Sequence, residues 1–222
     1  MRCSIIVPTL NESAAIEASL RRLDALRAHE VIVGDGGSED GTVELARRYA
    51  KVVNGRRGRG PQLNAAAAQA TGDTFLIVHA DVRLPRNALT AVEQALADPD
   101  TVGGYFRVRF GREPHDAFLA AFYDLLRRTG VVYGDACVFV RRATFERMGG
   151  FRDYPIMEDV NMVSRMRTQG RVVALPQVVR PSSRRWERDG RWRSWASWCG
   201  IMALYGLGVS PRFLGRLYRQ VR

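Results

Sequence analysis

Four acidic residues carry the chemistry that can be read from this chain: Asp35, Asp81 and the adjacent pair Glu158 and Asp159. Asp81 closes an apolar run in VHADVRLP. A carboxylate at such a strand end can hold a hard divalent cation that also binds two phosphates of a nucleotide. The competing reading is a plain turn residue. Asp35 stands inside the tight turn of VIVGDGGSEDGT, where Asp35 and Asp40 can instead cap the helix that follows. Glu158 and Asp159 open a helix. One of them can act as a general base that deprotonates a hydroxyl nucleophile, or both can simply complement the helix macrodipole.

Such residues need strands and helices to bring them together. Residues 4–8 form a short apolar run ended by proline, and residues 30–33 and 51–53 read as a second and third strand. Between them, Ile16, Leu20, Leu23 and Leu26, then Thr42, Leu45, Ala46 and Tyr49, recur at helical spacing. Pro61 suits the first position of an alanine-rich helix reaching Ala70. Residues 75–78 form a fourth strand that ends at His79, Ala80 and Asp81. This rhythm predicts an α/β fold with a mostly parallel central sheet flanked by helices. Loops at the carboxyl ends of its strands form the ligand crevice. Beyond Pro99, residues 102–110 alternate like a mixed or edge strand, and residues 117–128 read as an amphipathic helix. Residues 137–140 form another buried strand. Residues 158–169 form a helix with Val160, Val163 and Met166 inward and Gly170 as its stop.

Composition narrows the classes. The chain has 222 residues, 46% hydrophobic and 26% charged, which excludes disordered and fibrous proteins. Cys3, Cys137 and Cys199 are too far apart for a metal knuckle and too few for a disulfide framework, so a reducing compartment is expected. The first residues read as a strand and not as a signal peptide. The net charge is +11, and all but one of the 34 basic residues are arginine. Ten arginines against Glu187 and Asp189 fall within residues 180–222, which suggests phosphates on a ligand or on a membrane surface. Glu39 occupies the place where a dinucleotide fingerprint needs its last glycine, and no P-loop is present.

Five segments, in order, resemble the family 2 glycosyltransferases, which have the GT-A fold. SIIVPTLNE resembles their opening strand and VIVGDGGSEDGT their second-strand signature. VHADVRLP resembles their metal-binding segment. FVRRATFERMGGF followed by EDVNMVSRMRTQG is similar to their acceptor-side signature. Length and tail further resemble a bacterial subgroup described as radical-SAM/selenodomain-associated transferases. The resemblance implies a domain over residues 1–180, with a nucleotide-binding half (1–98) and an acceptor-side half (99–180). Residues 181–222 then form a basic, tryptophan-rich helical tail.

Carried over, the resemblance implies that Pro8, Thr9 and Glu12 border the base and ribose of a nucleotide sugar. Asp35 and Gly36 would meet the base edge, and Arg59 and Asn64 would lie near the ribose and diphosphate. Ala80 and Asp81 would line the diphosphate, with Asp81 holding Mg2+ or Mn2+. The first aspartate of the family's Asp-x-Asp is His79 here, which either acts as a nitrogen ligand and favours manganese or is simply a packed histidine. Asp159 matches the catalytic base, with Glu158 beside it. Arg184, Arg185 and Trp186 are similar to a segment that closes on the diphosphate, or else form a solvated basic face.

The implied reaction is inverting transfer of a sugar, expected from a UDP-sugar because an aspartate at position 35 suits the N3–H of uracil. The acceptor is an unidentified hydroxyl compound. The uncharged stretch 194–210 can cover the domain's own core, a second subunit in a homodimer, or a membrane interface. The expected location is cytoplasmic or peripheral on the inner face of the membrane. Two other classes compete. A nucleotidyltransferase would need a glycine-rich basic loop after the first strand, which PTLNES does not offer. A basic nucleic-acid-binding module would need a recognition motif, and none of the usual kinds is present, so nucleic acid is not an expected partner.

Overall fold

The computed structural model of the chain describes residues 1–109, 120–122, 124, 125, 127, 131–182 and 191–221. Its first half alternates strands and helices: β1 (Cys3–Thr9), α1 (Ser13–Asp24), β2 (Glu30–Asp35), α2 (Thr42–Ala46), β3 (Lys51–Asn54), α3 (Arg59–Ala68) and β4 (Thr74–Ile77). β1 pairs in parallel with β2 and β4, and β2 in parallel with β3. Every residue of β1 is buried, because neighbours flank both its edges and helices cover the sheet. Ile5, Ile6, Val7, Ile32, Val33 and Leu76 fill this core, each contributing about 1.5–3 kcal/mol relative to an exposed side chain.

The second half is mixed. It comprises β5 (Val82–Arg83), α4 (Ala88–Ala95), β6 (Thr101–Val108), a 3-10 turn (Gly134–Ala136), β7 (Phe139–Arg141), α5 (Arg142–Arg147), α6 (Glu158–Arg167) and β8 (Arg171–Pro181). The sheet order is β3-β2-β1-β4-β7-β6-β8-β5. β7 runs antiparallel to both β4 and β6, and β8 runs parallel to β6. β1, β2, β4, β6 and β8 therefore point the same way, and their carboxyl ends share one edge.

The sequence pattern left β6 open as a mixed or edge strand. It lies inside the sheet, between β7 and β8. β8 was hidden by Pro176, which has no N–H to donate and breaks the expected alternation. The ladder accommodates it by a register shift, with Tyr105 opposite Ala174 but Arg107 opposite Val178. β5, two residues long, is formed only by its partner Val82–Pro181 and Arg83–Arg180 pairings. Of the helix expected over 117–128, residues 120–122, 124, 125 and 127 are helical and the rest lie outside the described residues.

The tail folds into α7 (Arg191–Gly206) and α8 (Pro211–Val221), joined through Gly208 in the left-handed region at φ 87°. Ile201 and Leu214 join Tyr133, Ile156, Met157 and Val160 in a second apolar cluster. The Trp198 ring packs 5.4 Å from both Tyr133 and Tyr218. The tail thus covers the domain's own core, against the loop that precedes α6. Among the described residues, no helix is long and apolar enough to cross a membrane.

Candidate active site

At the carboxyl end of β2, Asp35 is only 1% exposed and its oxygens accept four hydrogen bonds. Oδ1 accepts from the hydroxyls of Thr9 (3.0 Å) and Ser38 (2.6 Å), and Oδ2 accepts from the N–H groups of Gly37 and Ser38 (both 2.8 Å). Burial disfavours its charge, but these donors outweigh it and hold its pKa below the ordinary value. A carboxylate offers about four acceptor positions, so Asp35 ties the end of β1 to the turn after β2. The expected contact with a base edge would have to displace one of these donors. Asp40 does the capping: it accepts from the N–H and hydroxyl of Thr42 at the start of α2, and from the Ser13 N–H at the start of α1.

Beside this turn, Pro8 and Thr9 are buried at the end of β1. The Glu12 N–H donates to the Thr42 hydroxyl at 2.8 Å. Gln62, which the sequence did not mark, is buried in α3 and donates from Nε2 to the Thr9 carbonyl. Its amide fills the space where a Cβ at Gly36 would sit, 2.3 Å away, so a side chain there would push the Gln62 amide off the Thr9 carbonyl. Asn64 also turns inward. Its Nδ2 donates to the Phe151 carbonyl and its Oδ1 accepts the Phe151 N–H, both at 2.9 Å. That amide clamps the Gly149-Gly150-Phe151 loop onto α3.

At the end of β4, His79 and Asp81 are half-buried and Ala80 is buried. The Ser182 N–H donates to the Asp81 carbonyl at 2.9 Å, and Pro181 pairs with Val82. Ser182 therefore lies beside Asp81. Arg184, Arg185 and Trp186 lie outside the described residues.

Glu158 and Asp159 begin α6 immediately after Met157, whose φ of 64° turns the chain inward. Both acids are buried, at 2% and 8% exposure. Arg59, at the start of α3, pairs with Glu158 at 3.2 Å. Burial works against the Arg59 charge, yet Glu158, Asp159 and Asp135 keep its pKa above the ordinary value. Asp159 is held by the N–H groups of Gly134, on Oδ2, and Val160, on Oδ1. Burial first, and then the charge of Glu158, push the Asp159 carboxyl well above the ordinary range; Arg59 and the two N–H donors pull it back only in part. A carboxyl raised toward neutrality is matched to proton abstraction near physiological pH. Helix-end acids that merely complement the macrodipole would be exposed and unshifted.

Arg59, Glu158, Asp159 and His79 thus converge from α3, α6 and the turn after β4. Asp135 is a further acid there that the sequence reading missed. The pKa of Cys137 is raised by burial and then by the charges of Asp135 and Asp81, so both acids lie near Cys137, just before β7. Its signal was the Gly134-Asp135 pair just before a buried strand, in VYGDACVFV. Among the described residues, no three His, Cys, Asp or Glu side chains gather as a complete metal cage.

The family model for Glycosyl transferase family 2 matches residues 4–149. An undecaprenyl-phosphate 4-deoxy-4-formamido-L-arabinose transferase of Aeromonas hydrophila is 32% identical over 121 residues, covering 48% of this chain and 37% of the relative. The chain spans about a third of the length of the first such curated relatives. Among solved structures, the mannosyltransferase PcManGT from Pyrobaculum calidifontis, in complex with GDP-Man and Mn2+, superposes with a TM-score of 0.73. It is 24% identical over 99% of this chain and 69% of its own. TarS 1-349 of S. aureus in complex with UDP gives a TM-score of 0.65 at 18% identity, over 82% of this chain and 61% of its own. These likenesses establish the expected GT-A fold.

Proposed function

Because the chain belongs to glycosyl transferase family 2, we propose that it moves a sugar from a nucleoside-diphosphate sugar to a hydroxyl acceptor, with inversion and with Asp159 as the base. The carrying observation is the buried Asp159, held by Gly134 and Val160 with its pKa raised. As the acceptor oxygen approaches the anomeric carbon, Asp159 takes its proton. The new C–O bond forms while the bond from carbon to diphosphate oxygen breaks, and that electron pair leaves with the diphosphate. The sugar carbon becomes oxocarbenium-like on the way, and one base with one displacement inverts it. Arg59 and Glu158 pair behind Asp159 and fix its surroundings.

A bound Mg2+ or Mn2+ would supply positive charge to the departing diphosphate, held by Asp81 and, as a nitrogen ligand, His79. Arg184 and Arg185 would add cationic contacts to the same leaving group, with Trp186 as an aromatic neighbour, as the family resemblance implies. The donor base is proposed without a choice between uridine and guanosine. The uridine expectation rested on Asp35, whose oxygens are engaged, and the structural neighbours include complexes with GDP-Man and with UDP. The test is product stereochemistry by NMR after screening nucleotide sugars for turnover. An inverted anomeric centre is expected; retention would overturn the single-base mechanism.

A further inference from the structure

Side chains alternate along a strand, so Tyr105, Arg107 and Arg109 project from one face of β6. The two arginines stand at its carboxyl end, on the edge that carries the site. Both guanidinium groups meet Asp124 of the helical residues after position 119: Arg107 at 2.6 Å and Arg109 at 2.9 Å on the same oxygen, Oδ2. Arg127 reaches the other oxygen of Asp124 at 3.4 Å. Among the described residues, no other carboxylate pairs with these three cations. One negative charge thus faces three positive ones, and exposures of 22–40% leave water only partial access to screen them. Arg107 Nε is buried with no hydrogen-bond acceptor among the described residues.

Among the described residues, charge and donor count are both unbalanced in the same direction: the cluster lacks an anion. Its position says which anion matters. Asp124 and Arg127 line a notch of about 20 Å³ whose other wall includes Tyr133 and Ala136. Those residues flank Gly134, whose N–H holds the base Asp159. The notch floor has room for a water-sized group only, so a larger anion sits at its mouth. The arginine cluster's notch and the base thus both border one 3-10 turn.

We propose that Arg107, Arg109 and Arg127 bind a phosphate monoester on the acceptor, and so select a hydroxyl compound that carries one. A monoester bears close to two negative charges at neutral pH, which matches the excess of two in the cluster. Guanidinium forks meet phosphate oxygens in paired hydrogen bonds. The inference rests on the transferase reading for the word acceptor, but the anion site itself is measured without turnover.

The test uses the full chain with UDP in excess, so that the donor diphosphate region is filled, and calorimetry with glycerol 3-phosphate against glycerol. Glycerol 3-phosphate should bind and glycerol should not. Arg109→Gln should weaken binding about tenfold or more, from loss of a charge-assisted contact. Asp124→Asn should strengthen it, because the competing carboxylate is gone. Arg127→Gln serves as a second loss-of-charge variant should Arg109→Gln melt early. Vesicles of phosphatidic acid in phosphatidylcholine form the second arm: tighter binding to them assigns a lipid phosphate, and tighter binding to the free ester assigns a soluble one. Absence of binding in both arms, or an Asp124→Asn protein that loses binding as Arg109→Gln does, would overturn the proposal. UDP binding to the wild-type chain, titrated alone, judges the donor reading separately.

Discussion

The N–H of Gly134 points into the carboxylate of Asp159, and no side chain at position 134 can share that space. A Cβ there would lie 2.5 Å from His79 Nε2 and 3.2 Å from Asp159 Oδ2. His79 and Asp159 are thus neighbours across a bare α-carbon, and the glycine sets where the base stands. Gly134→Ala should lower transfer at least tenfold, because small displacements of a positioned group are costly. Nucleoside diphosphate affinity measured without added metal should stay near wild type. Rates and calorimetric Kd values measured together check this, and a normal rate would show that the turn tolerates the shift.

Stability should carry the signature of the raised Asp159 carboxyl. Between the ordinary carboxylate pKa and the raised one, the folded chain holds a proton that the unfolded chain has released. Stability contributed by this group is therefore full below the ordinary value and is lost as pH rises through the folded value. Each unit of elevation corresponds to about 1.4 kcal/mol. Asp159→Asn cannot titrate, so the fall in urea midpoint across that window should be shallower than in wild type. Parallel curves would mean that Asp159 is not raised.

Asp81→Ala should abolish the tightening of UDP or GDP binding by Mn2+, since its carboxylate is the best oxygen ligand at the end of β4. Calorimetry with Mn2+ and with EDTA reads this without turnover. Equal affinities under both conditions in the wild-type chain would remove the metal from the account.

Asn64→Ala should behave as a folding lesion. It removes both hydrogen bonds to the Phe151 backbone, leaving a buried N–H and C=O without their partner. The expected cost is about 1–3 kcal/mol. Nucleotide affinity in the folded fraction should be nearly unchanged. A selective loss of affinity at unchanged melting temperature would return Asn64 to the ribose.

The parallel half of the fold was legible because β1, β2 and β4 are short apolar runs separated by helical periodicity and ended by Pro8, Asp35 and His79. β8 was not, because Pro176 disturbs its alternation and only pairing with β6 defines it. The acids at positions 81 and 159 were legible from their places at a strand end and a helix start. What a side chain faces was not. Asp35 and Asn64 have the residue types of ligand contacts, but partners 26 and 87 residues away, Thr9 and Phe151, engage them. Gln62 carries no local signal, since its importance lies in the distant Thr9 carbonyl it meets, and the Gly134-Asp135 pair does not show what a Cβ at position 134 would meet.

The central claim is that Asp159 takes the acceptor's proton. Asp159→Asn keeps the side chain's size and loses only the ability to accept that proton and one of two backbone contacts. The decisive measurement is release of nucleoside diphosphate from the donor in the presence of acceptor, alongside donor affinity and melting temperature for the same preparation. The account predicts turnover lower by on the order of 10²-fold or more, with donor affinity unchanged. A folded Asp159→Asn chain that turns over at a near-normal rate would contradict it and leave the residue as a helix-start acid.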